Sequence, residues 1–122
     1  MYNASFYPTP VSVAEKMLAK AGKLSGRSIL EPSAGKGDLA DAAVGKLDRY
    51  YNRCREVVHC IEIEPELQAA IRGKGYPLVG TDFLTFWPDE KYDLIIMNPP
   101  FANGEAHLLH AWEILDHGDI VC

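Results

Sequence analysis

Short β-like runs alternate with longer helical patterns along all 122 residues of this chain, and such alternation points to a parallel sheet with helices laid across it. Pro10 opens a predicted helix to about Ala21, with Val13, Met17, Leu18 and Ala21 on one face and Gly22 as its stop. Arg27 to Leu30 reads as a first strand, Glu31 to Gly37 as a turn, and Asp38 as the cap of a helix reaching about Tyr51. Val57 to Ile61 is a second strand, Pro65 starts a helix ending near Gly73, and Tyr76 to Val79 is a short third strand. Asp93 to Met97 gives a fourth strand, Glu105 to Leu115 a helix, and Ile120 to Cys122 the opening of a fifth strand. No internal repeat or low-complexity run interrupts the series.

Composition narrows the options. A chain this short, 48% hydrophobic, suits one domain with a real core, expected to span residues 1–122. A net charge of −5 argues against a chain-wide electrostatic nucleic-acid clamp. The basic residues, Lys16, Lys20, Lys23, Arg27, Lys36, Arg49, Arg53 and Arg55, read by default as solvated surface. Cys54, Cys60 and Cys122 have neither CxxC nor His/Cys ligand spacing, so reduced thiols are expected and no metal site is evident. No charged n-region with a following apolar stretch opens the chain, and no segment is long enough to cross a bilayer, so a soluble, cytoplasmic protein is expected.

The turn after the first strand carries chemistry. Glu31-Pro32-Ser33-Ala34-Gly35-Lys36-Gly37 lets backbone pass close beneath a ligand and opens a helix whose first amides face it. A P-loop is excluded, because its first glycine and its Ser/Thr fall on Leu30 and Gly37. The GxGxxG pattern also fails, with Ala40 in its last place. The Glu-x-x-x-Gly-x-Gly order suits a ligand carrying an ammonium group better than a pyrophosphate. Glu62, 31 residues after Glu31 and at the end of the second strand, is placed to accept both hydroxyls of a ribose. Asp82 and Phe83, after the third strand, could meet an adenine by its amino group and its ring face.

The fourth strand runs into Asn98-Pro99-Pro100-Phe101, where two prolines remove backbone donors and fix φ. The Asn98 side-chain oxygen and the Pro99 carbonyl are acceptors on this rigid lip, and Phe101 gives it a flat aromatic face. His107 and His110 on the next helix read as packing or surface.

Taken in order, Phe6-Tyr7-Pro8-Thr9-Pro10, the Glu31 to Asp38 loop, Glu62, Asp82-Phe83 and Asn98-Pro99-Pro100-Phe101 resemble the class I S-adenosylmethionine-dependent methyltransferases that act on amino groups. The resemblance covers essentially the whole chain. It is strongest to the N6-adenine DNA methyltransferases, and more narrowly to the methyltransferase-type proteins of phages and mobile elements. It implies a Rossmann-like three-layer α/β/α sandwich whose seven strands run 3-2-1-4-5-7-6, so four strands and the start of a fifth leave the sheet incomplete at its C-terminal edge. It assigns the methionine part of S-adenosylmethionine to Thr9, Pro10, Glu31, Pro32, Ser33, Ala34, Gly35 and Gly37. It assigns the ribose to Glu62 with Ile63 beside it, the adenine to Asp82 and Phe83, and the catalytic lip to Asn98, Pro99, Pro100 and Phe101, with Asn98 also at the cofactor. DNA is the implied partner, with guanine amino groups of ribosomal RNA as the alternative and a cofactor- or partner-binding remnant as another. The fourth strand is expected near an exposed edge, which a second copy or another polypeptide could cover.

Overall fold

The computed structural model describes residues 9–47, 54–98 and 103–122. Its five strands form one parallel sheet in the order β3-β2-β1-β4-β5: β1 is Ile29–Glu31, β2 Val58–Ile61, β3 Leu78–Gly80, β4 Tyr92–Ile96 and β5 Leu115–Val121. Among the described residues, helix α1 (Val11–Ala21) precedes β1, and α2 (Asp38–Leu47), α3 (Pro65–Gly73) and α4 (Gly104–Glu113) lie between strands. The chain walks outward from β1 to β2 to β3, then returns to place β4 on the other side of β1. That reversal makes a crevice between the carboxyl ends of β1 and β4, where open α/β sheets take their ligands.

Strand alternation sends side chains to opposite faces, and the sheet accordingly divides two apolar clusters. Ile29, Val58, Cys60, Leu94 and Ile96 pack with the inner faces of α1, α2 and α3. Leu30, Ile61, Ile95 and Met97 pack on the other side with Phe83, Ala111 and Ile114. The expected three-layer α/β arrangement is the one found.

Several boundaries differ from the sequence reading, each for a local reason. On α1 the buried stripe is Ala14, Met17, Leu18 and Ala21, the regular i, i+3, i+4, i+7 spacing, and Val13 is exposed. Pro10 is the residue before that helix, its carbonyl accepting from the Val13 and Ala14 N–H groups, and Gly22 ends it at φ +73°. Asp38 is the first residue of α2 rather than its cap, since the Gly37 carbonyl already accepts from the Asp41 N–H at 2.7 Å. Two 3₁₀ turns, Cys54–Val57 and Phe83–Thr85, had no periodicity to announce them. The expected end of the second helix near Tyr51 lies outside the described residues.

The largest correction is β5. It starts at Leu115, where a helix was expected to be ending, and runs seven residues. It pairs with β4 throughout, so β4 is an interior strand and β5 takes the edge. The register slips between Tyr92, opposite Leu115, and Leu94, opposite Asp119, leaving extra residues on β5. His117 there has φ +50°, and a Cβ on Gly118 would overlap the Asp93 carbonyl, so this crossing accepts only glycine. Asp116, His117 and Gly118 carry no strand signal of their own, which hid the element.

At the amino ends of the strands, Arg27 ties the sheet together. Its guanidinium donates to the carbonyls of Ala21, Lys23 and Asp93 and pairs with Asp119 at 2.8 Å. Arg55 donates to the Lys74 carbonyl and lies over the Tyr76 ring. Neither side chain is simply solvated, and both are committed to structure. Arg49 and Arg53 lie outside the described residues. Among the described residues, no helix is long and apolar enough to cross a membrane.

Candidate cofactor and catalytic site

β1 and β2 run side by side, β1 ending in Glu31 and β2 followed at once by Glu62, and the glycine loop is strung between the two. From β1 the chain turns at once, and the Ala34 N–H donates to the Ile61 carbonyl at 2.9 Å, pinning the loop across the end of β2. Gly35 at φ +57° and Gly37 at φ +96° make the turns that side chains rarely permit. A Cβ on Gly37 would also press on Ile71 at 3.2 Å. Pro32, Ala34, Gly35 and Gly37 are buried and Ser33 is half-buried.

Glu62 is the brace of this loop. One carboxylate oxygen accepts from the Gly35 N–H and the other from the Glu64 N–H, each at 2.8 Å. Only 6% of the residue is exposed. Burial raises its pKa, while those backbone N–H groups pull it back down. Ile63 beside it is 62% exposed, a bare apolar side chain next to a carboxylate.

Glu31 is stranger. It is 2% exposed, and its Oε2 has no hydrogen-bond partner. Burial pushes its pKa up to about 8, with the negative charges of Glu62, Asp38 and Asp41 adding to the effect and a hydrogen bond to the Ala40 backbone opposing it. A buried orphan acceptor costs free energy unless something cationic or donating meets it.

Thr9 and Asn98 approach from the other side of the crevice. Asn98, exposed just beyond β4, donates from its amide nitrogen to the Thr9 hydroxyl at 3.4 Å. This contact joins the Thr9-Pro10 segment to the start of the lip. Pro99, Pro100 and Phe101 lie outside the described residues.

Asp82 is exposed, and one of its oxygens caps the following 3₁₀ turn by accepting from the Leu84 N–H at 3.1 Å. Phe83 is 2% exposed, with its ring against those of His107 and His110. Both histidines are structural: His107 Nδ1 lies 2.8 Å from the Asn103 carbonyl and His110 Nε2 2.7 Å from that of Phe86.

Of the α2 acids, Asp38 was legible in the sequence and Asp41 was not. Asp41 accepts from Lys74 and from the Tyr76 hydroxyl, each at 2.6 Å, binding α2 to the end of α3. Asp41 lies three residues past Asp38 on the helix, but its partners are more than thirty residues away, so no local pattern could have shown the link.

No family model matches the sequence. A candidate RNA methyltransferase from Pyrococcus horikoshii superposes with a TM-score of 0.71 at 29% identity, over 90% of this chain and 56% of that one. This is the class I methyltransferase fold. This chain also aligns with Type II methyltransferase M.CvrRI of Paramecium bursaria Chlorella virus XZ-6E at 31% identity over 115 residues, 93% of this chain and 29% of that protein. The glycopeptide N-methyltransferase MtfA, solved with sinefungin, shares the fold at a TM-score of 0.68 and 19% identity, over 95% of this chain and 54% of its own. The methyltransferase fold seen here thus spans about half the length of those solved relatives and under a third of the viral one.

Proposed function

We propose that this chain binds S-adenosylmethionine across the carboxyl ends of β1, β2 and β4 and directs its methyl group to N6 of adenine in DNA. The observation that carries the reading is the pair of buried glutamates at neighbouring strand ends. Glu31 holds an unpaired oxygen, and Glu62 is braced against Gly35. The residues fit the cofactor's parts. Glu31 suits the ammonium, the loop from Pro32 to Gly37 the methionine chain, Glu62 the ribose hydroxyls, and the bare Ile63 a face of the adenine. Asp82, with one oxygen on the Leu84 N–H, keeps its other oxygen for the adenine amino group. Phe83 supports that region from within the core.

When bound, the cofactor supplies a sulfonium methyl as electrophile. The chain's own part is placement. The Asn98 amide nitrogen is held toward Thr9, which leaves its oxygen to accept from the target amino group, and the Pro99 carbonyl is assigned the second acceptor role. Phe101 is assigned to stack on the extruded base. The viral relative, named a type II methyltransferase, supports the DNA reading. The archaeal relative, described as an RNA methyltransferase, favours the second reading, a guanine amino group in RNA.

The test is calorimetric titration of the chain with S-adenosylmethionine beside Gly35→Asp and Asn98→Ala, followed by nucleoside analysis after incubation with unmethylated DNA or ribosomal RNA. One-site binding lost in Gly35→Asp, with N6-methyladenine appearing in DNA, is the expected result. A folded parent that binds no cofactor refutes the reading, and methylguanine in RNA with unmodified DNA moves it to the second substrate.

A further inference from the structure

Resting on that cofactor site, we infer that Glu31 is a proton store: it is protonated in the empty site and gives its proton to solvent when an amino-acid ammonium is captured beside it. The observation is geometric. Oε2 of Glu31 is sealed from water with no partner, at the end of the strand that leads into the glycine loop. Among the described residues, the charges that act on it directly are negative. Glu62 faces it from the end of β2, Asp38 and Asp41 from α2, and the buried Cys60 thiol lies on the neighbouring strand. Lys74, the cation that touches this cluster, is held on Asp41 at 2.6 Å. A carboxylate left there would be an unpaired buried charge, whereas the neutral acid is tolerable.

Capture then balances simply. The O–H bond of Glu31 breaks, the proton leaves to buffer, and the carboxylate pairs with the arriving ammonium without adding net charge to the pocket. A ligand ammonium of ordinary α-amino pKa, about 7.7–8.0, is charged well below pH 7. Binding should therefore release close to one proton per site at pH 6.5, and affinity should fall by about tenfold per unit as pH drops below 7. Above pH 8 both groups are already losing their protons, and affinity should decline again.

S-adenosylhomocysteine is the probe, since it carries the ammonium without the reactive methyl. Titrating the chain at pH 6.5 in two buffers of different ionisation heat gives the proton count directly. The expected result is near one proton released by the parent and none by Glu31→Gln. 5′-Methylthioadenosine, which lacks the amino-acid group, should bind the parent with no release, and this arm stands even if Glu31→Gln does not fold. Binding of S-adenosylhomocysteine without proton release overturns the proton store while leaving the cofactor site intact. Equal release by parent and Glu31→Gln also overturns it. Failure of both ligands to bind removes the cofactor reading and this inference together.

Discussion

The Gly35 N–H donates to Glu62 Oε1 across 2.8 Å, so the loop proposed to hold the methionine chain and the acid proposed to hold the ribose are one mechanical unit. The second oxygen of Glu62 does the same for the Glu64 N–H at the entry to α3. Glu62→Ala leaves both donors without that acceptor. The expected loss is about 2 kcal/mol of stability, from the cost of unsatisfied buried polar groups. Because the loop loses its brace, 5′-methylthioadenosine binding should also weaken by at least about tenfold. Urea unfolding and calorimetry check both, and a variant as stable as the parent would show the brace to be idle.

Gly37 and Gly22 separate two costs of adding a side chain. Both have positive φ, at +96° and +73°, but only Gly37 faces a neighbour, Ile71 at 3.2 Å. Gly22→Ala should cost about 2 kcal/mol for the backbone alone, since φ +73° with ψ −131° is a conformation that side chains rarely adopt. Gly37→Ala should cost about 1 kcal/mol more, with reduced cofactor affinity as well, because the contact adds overpacking inside the loop. Equal losses of stability in the two variants would mean that Ile71 yields freely.

Much of this was legible in the sequence for identifiable reasons. β1, β2 and β4 are apolar runs ending in a carboxylate or an amide, and the glycine loop and Pro65 mark the helix starts, so the strand ends that build the site could be read in order. What escaped depends on distance along the chain. Glu31 and Glu62 could be placed at adjacent strand ends, but not that one is braced by backbone N–H groups while the other has an orphan oxygen, since that depends on where Gly35 and α2 settle. β5 escaped because Asp116, His117 and Gly118 look like a turn, and only the approach of Gly118 to the Asp93 carbonyl makes them part of a strand. Phe83 offered a ring for stacking in the sequence, yet the fold spends that ring on His107 and His110.

Glu31 also sets a pH dependence of folding. Its ordinary value of 4.5 rises to about 8 in the folded chain, so the native state holds a proton that the unfolded chain gives up. Below pH 4.5 this difference costs nothing. As pH rises from there toward 8 the cost accumulates, and above 8 it levels off, reaching on the order of 5 kcal/mol of lost stability. Glu31→Gln removes the titration, so its stability relative to the parent should grow steadily from pH 5 to pH 8. Urea unfolding of both proteins across that range decides the matter. Parallel curves would show that Glu31 titrates normally in the fold.

Asn98 tests the lip apart from the cofactor loop. Its contact to the Thr9 hydroxyl, at 3.4 Å and exposed, is too weak to hold up the fold, so Asn98→Ala should change stability by less than about 0.5 kcal/mol. The proposed role lies in the transition state, where its oxygen accepts from the target amino group. Removing one such acceptor should lower methyl transfer by about a hundredfold or more. S-adenosylhomocysteine affinity should fall far less, because Glu31, the glycine loop and Glu62 remain. Thr9→Val should show a milder form of the same split, about tenfold in rate, since it frees the amide to turn without deleting its oxygen. Single-turnover methylation measured beside equilibrium binding distinguishes the cases. If Asn98→Ala loses binding and rate by the same factor, the residue belongs to the cofactor subsite and the lip's acceptor must be sought elsewhere.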